Sequence, residues 1–135
     1  MKKLLAILVL GLLFCNVGVA KSVSIMIPNT SVEDVKSKLI DSHLNQGYDI
    51  GLETNNRITF EKEVTGLKVR LLMGFLSDDV NTFQRDKFNF SKKDNGVKVY
   101  YATELFSGDE VVKLDSNSNL KSNQKWLNGW VGNNF

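Results

Sequence analysis

From Tyr48 onward, apolar side chains recur at every second position, and that rhythm limits the fold more than any other feature of the chain. Tyr48, Ile50 and Leu52 alternate with other residues, Asn55-Asn56 makes a turn, and Ile58, Phe60 and the aliphatic stem of Lys62 alternate again. Period two puts alternate side chains on one face of a strand, and Asn tolerates the positive φ angles of two-residue hairpin turns. Leu67, Val69, Leu71 and Met73 keep the rhythm; Gly74 then breaks it, and a loop to Asn81 with Asp78-Asp79 at its tip is expected. Phe88 and Phe90 open a second hairpin, Asp94-Asn95-Gly96 turn it, and Val97, Val99, Tyr101, Thr103 and Leu105 return on one face. Ser107-Gly108-Asp109 ends the hairpin, and Val111, Val112 and Leu114 add either a short strand or a packed loop.

Helical signals flank these strands. Residues 22–27 form a β-rich run closed by Pro28, the first strand. Thr30-x-x-Glu33 and Ser31-x-x-Asp34 both have the spacing of a capping box, and Gly47 is a natural left-handed terminator, so a helix is expected from this cap to about Gln46. Its apolar arc holds Val32, Val35, Leu39, Ile40 and Leu44. At the other end, Leu120, Trp126, Leu127, Trp130 and Val131 share one helical arc, with N-cap candidates over residues 116–119 and fraying expected at Gly132-Asn133-Asn134. The order is β-α-β-β-β-β-α: an α+β domain with a single, mostly antiparallel sheet and both amphipathic helices packed on one face.

Residues 1–20 are a different kind of segment. Lys2-Lys3, an apolar run over residues 4–14 and a small-residue finish at Ala20 match a bacterial secretory signal peptide. The run is too short for a membrane span, which needs about 20 residues. The expected product is a single domain over residues 21–135, periplasmic or secreted. The competing reading acylates Cys15, the only cysteine, to give a membrane-anchored lipoprotein; Leu12 fits that reading, and Phe14 immediately before the cysteine does not. If processing follows Ala20, the mature chain has no cysteine, hence no intrachain disulfide, thiol nucleophile or thiolate metal site.

Removing the leader also removes two of the 17 basic residues, leaving 15 against 15 acidic ones and a net charge of zero. That balance argues against a nucleic-acid partner, whose phosphates reward a basic excess. No second membrane segment stands in the mature chain. Its single alanine, Ala102, and its wealth of Asn, Ser, Val and Phe favour strands.

Gly47-Tyr48 after the first helix, Phe60-Glu61-Lys62 in the first hairpin and Leu71-Leu72-Met73-Gly74 in a later strand carry a resemblance. The chain looks like a group of small uncharacterised bacterial exported proteins and lipoproteins with these features. The element order is similar to the helix-grip modules of the lipoprotein subunit of the outer-membrane β-barrel assembly machinery, and to TATA-binding-protein-like folds in general. The resemblance implies architecture and location. It brings no catalytic residues, because so widely shared a fold does not fix function.

Each chemically suggestive residue also has a structural use. His43, the only histidine, lies near the centre of the first helix's apolar arc, with Lys36 on the same side. It suits a general base or pH switch in a cleft, or a partly buried residue near a helix C-terminus, where its charged form suits the dipole. No neighbour in sequence positions it. A cleft that brings an acid within hydrogen-bond reach would favour a periplasmic hydrolase using His43 and loop carboxylates; a packed, partnerless ring would favour a binding module. Asp115-x-Asn117-x-Asn119 begins like a calcium loop, but Leu120 stands where Gly is needed and Trp126 where Glu is needed, so a capping loop is expected. Asp109 and Glu110 leave a different calcium site open. The pairs Asp78-Asp79 and Asp109-Glu110 read as solvated turns rather than glycosidase carboxylates, and Lys92-Lys93 as a hairpin tip.

Trp126 and Trp130, four apart on the last helix, are the candidate binding residues. They could stack a sugar ring or anchor a partner, or simply pack on the sheet. Leu120, Leu127 and Val131 are expected to face the sheet, with both tryptophans toward one edge. The sequence therefore calls for a non-enzymatic envelope module that binds another envelope protein or a small ligand, with no cofactor, no metal site and no catalytic residue assigned. A lipid-anchored assembly factor and the His43 hydrolase are the alternatives.

Overall fold

The computed structural model describes residues 21–66 and 81–135. The leader with Cys15, the run at residues 67–73, Gly74 and the Asp78-Asp79 tip lie outside the described residues. Among the described residues eight elements follow one another: β1 (Val23–Pro28), α1 (Val32–Asn45), β2 (Asp49–Thr54), β3 (Arg57–Val64), β4 (Thr82–Lys93), β5 (Gly96–Ser107), β6 (Glu110–Lys113) and α2 (Asn117–Asn134). This is the expected order, with residues 110–113 resolved in favour of a short strand. The described strands form one sheet ordered β1-β5-β4-β3-β2, with β6 also paired to β5, and every pairing is antiparallel.

The register explains the core. Ile27 faces Val97, Ile25 faces Val99, Phe90 faces Val99, Phe88 faces Tyr101 and Ile58 faces Phe88. Their shared phase puts these side chains on one side of the sheet. Val35 and Leu39 of α1 and Leu127 and Trp130 of α2 close over that side, so both helices cover the same face. Helix α1 packs over β2 and β4, and α2 over β1 and β5. The helices thus lie side by side with a seam between them.

Local chemistry sets the helix ends. Of the two possible caps, Ser31 is used: its hydroxyl accepts from the Asp34 N–H at 3.1 Å. The Gln46 N–H donates to the His43 carbonyl and the Gly47 N–H to the Leu44 carbonyl, both at 3.0 Å, with Gly47 at φ +79°. Ser116 caps α2, accepting from the Asn119 N–H.

Three expectations need correction. Helix α2 continues to Asn134 without fraying at Gly132, because its C-terminal turn is held: the Phe135 N–H reaches the Val131 carbonyl at 3.0 Å and Lys38 reaches the Asn134 carbonyl from α1. Strand β4 opens at Thr82, six residues before Phe88, because residues 82–87 pair in unbroken register with residues 59–64 of β3. Leu44 is 48% exposed, and His43 takes the sheet-facing place beside it.

Candidate functional site

A side chain at position 43 of α1 points at the sheet one turn below Leu39, and Asp86 of β4 points up at it. Asp86 is in phase with Phe88 and Phe90, so the strand's alternation carries a carboxylate into the core. His43 Nε2 lies 3.4 Å from Asp86 Oδ2, with side-chain exposures of only 1% and 4%. On the other side of the ring, His43 Nδ1 is 3.0 Å from the Leu39 carbonyl oxygen. A carbonyl only accepts, so Nδ1 carries a hydrogen.

Aromatic rings enclose the pair. Phe60 stacks on the imidazole at 4.0 Å and 11°, while Tyr48, Phe88 and Trp126 meet it edge-on with centroids at 5.1, 5.4 and 5.6 Å. Gln84 Nε2 donates to Asp86 Oδ1 at 3.0 Å and to the Tyr48 hydroxyl at 3.1 Å. Burial, then the charge of Asp86 and hydrogen bonding to it, pushes the Tyr48 phenol from 10.0 up to about 12. Burial, followed by the Asp86 charge, raises the Tyr101 phenol as well. Asp86 is therefore the hub of an imidazole, an amide and two phenols. The buried charge has the partners it needs.

Against expectation, His43 has a carboxylate partner, but one brought from another strand rather than from nearby sequence. The phase of Asp86 with Phe88 was the signal available. Residues 84–87 are all polar, and this hides the alternation before Phe88.

The seam between α1 and α2 opens into a cleft of about 590 Å³ lined by Ser42 and Gln46 of α1 and by Ser122, Lys125, Trp126, Gly129, Trp130, Asn133 and Asn134 of α2. Trp126 is half-buried: it lines the cleft, stacks parallel to Trp130 at 6.3 Å, and touches Tyr101 at 5.0 Å as well as His43. It separates the cleft from the buried pair. Trp130 is 7% exposed, with Phe135 edge-on at 5.8 Å, so it packs into the core. Leu127 is fully buried as expected, whereas Leu120 and Val131 are only half-buried.

The other face of the sheet carries an ion network. Register aligns Glu61, Arg85 and Glu104 across β3, β4 and β5. Arg85 donates to Glu61 at 2.7 Å and to Glu104 at 3.0 Å, and Lys87 donates to Glu104 at 2.6 Å. Lys36, on the helical side, pairs with Glu53 at 2.8 Å. Asp109 sits in the β5–β6 turn and Glu110 opens β6, and Asp115, Asn117 and Asn119 surround the α2 cap. No family model and no curated protein matches the chain.

Proposed function

We propose that this chain is an exported bacterial envelope protein that works as a non-catalytic binding module, with the α1–α2 cleft as its contact surface and Trp126 as its anchor. The observation that carries the reading is the separation of two features. The His43–Asp86 pair is closed off behind Trp126, Phe60 and Phe88, whereas the open cleft is lined by amides, hydroxyls, indoles and one lysine. A ligand seated there meets a large aromatic side chain and fixed polar groups, the usual makeup of a recognition site.

The hydrolase reading gains a carboxylate partner for His43 and loses access to it. A general base must come within about 3 Å of the proton it removes, and Trp126 stands in the way. Crosslinking of the exported protein in intact cells, read by mass spectrometry, tests the choice. Trp126→Ala should remove the specific adducts while His43→Gln, once its fold is verified, should keep them. Adducts indifferent to Trp126 would refute the reading. In the lipid-anchored alternative the same domain would be tethered through Cys15.

A further inference from the structure

We infer that the α1–α2 cleft takes a neutral sugar unit of a glycan chain, an inference that rests on the binding reading above and names its ligand class. The lining supplies the chemistry. Among the described residues that form it there is no carboxylate, which disfavours a cationic ligand, and a single cation, Lys125, which is little for a polyanion. A purely apolar ligand would strip water from Asn133, Asn134, Gln46, Ser42 and Ser122 without replacing it. A polyhydroxylated ring suits the set: its hydroxyls both donate and accept, and its C–H faces stack on indole. Two of the amides are already oriented. Gln46 Nε2 donates to the Ser42 carbonyl at 3.1 Å and to its hydroxyl at 3.2 Å, and Asn134 Nδ2 donates to the Trp130 carbonyl at 2.7 Å. Each keeps its amide oxygen as an acceptor held in place.

Gly129 is an independent observation. It sits inside α2 between the two tryptophans, where glycine is a poor helix former. A Cβ at this position would meet nothing within 4 Å, so packing does not require the glycine. What its absent side chain leaves is open space in the cleft beside Trp126. Gly132 is also helical and equally unobstructed, but does not line the cleft, which makes it the matched control.

The test is a titration of the protein purified from its exporting host, followed by tryptophan fluorescence, with chitotetraose and cellotetraose as neutral probes. At least one should give a saturable change with a dissociation constant of about 0.1–1 mM. Gly129→Leu should weaken it at least about tenfold by filling the cleft, and Gly132→Leu should leave it unchanged. Asn133→Leu, an exposed position on the same lining, should weaken it too and guards against a folding defect in the first variant. No saturable change with either probe by about 10 mM, or equal effects of the two glycine variants, overturns the inference. If no sugar binds but Gly129→Leu still abolishes the adducts formed in cells, the glycan class is wrong and the binding module stands.

Discussion

His43 and Asp86 show how a polar pair can be held inside a small core. Removing one partner leaves a buried charge uncompensated, whereas replacing both with apolar groups of similar size is often nearly neutral. Asp86→Ala should therefore cost about 3–5 kcal/mol, and the double change His43→Phe with Asp86→Leu should cost less than that single change; urea midpoints compare them. A less stable double variant would mean that the pair contributes more than its own satisfaction. The tyrosines give a second handle. Tyr48 ionises at 10.0 when free and near 12 in the fold, so the folded state favours the neutral phenol. The resulting stability is complete below pH 10.0 and is lost as the pH rises through about 12. Tyr101, raised for the same reasons, acts in the same direction. Urea midpoints measured up this range should fall, and Tyr48→Phe should make the fall shallower. The histidine's buried position was legible from helical phase; its partner was not, because Asp86 arrives from a strand whose first half hides its alternation among polar residues.

The helices and hairpins carry clearer local signatures than the contacts between them. Capping boxes, Gly47 and period-two runs are written in neighbouring residues, and among the described residues α1, β2, β3 and β5 stand at nearly the expected bounds, whereas β4 opens earlier. Leu44 shares the apolar arc yet is exposed, because a helical arc fixes which residues lie together, not how far the helix rolls on its sheet. The cleft was illegible for the same reason: it is a gap between two elements far apart in the chain. Two glycines test this level of the account. At Gly96, φ is +150° and a Cβ would stand 2.1 Å from the Ile27 carbonyl oxygen, so the β1–β5 pairing needs a residue without one. Gly96→Ala should cost at least about 2 kcal/mol. Gly129→Ala should instead stabilise by about 0.5–1 kcal/mol, since only helix propensity changes. Thermal melts of the two variants should move in opposite directions, and a destabilised Gly129→Ala would show that this glycine serves packing after all.

The molecule as a whole sorts its chemistry by face. One side of the sheet is covered by the helices and their shared core. The other carries the Glu61–Arg85–Glu104–Lys87 network, in which each of these charges has a partner. On the helical side the seam opens into the cleft. The export we propose has its own test: Gly18 and Ala20 stand at the small positions a signal peptidase reads, so the intact mass of the processed protein should correspond to a chain beginning at Lys21. A diacylglycerol on Cys15 would replace free export with a membrane tether. We propose that recognition happens at the α1–α2 cleft. Its most direct test is a photo-crosslinking amino acid placed in turn at Ser122, in the cleft, and at Met26, on the opposite face of the sheet, in cells exporting the protein. Specific adducts from position 122 and none from position 26 are expected, whereas adducts from position 26 alone would contradict the account.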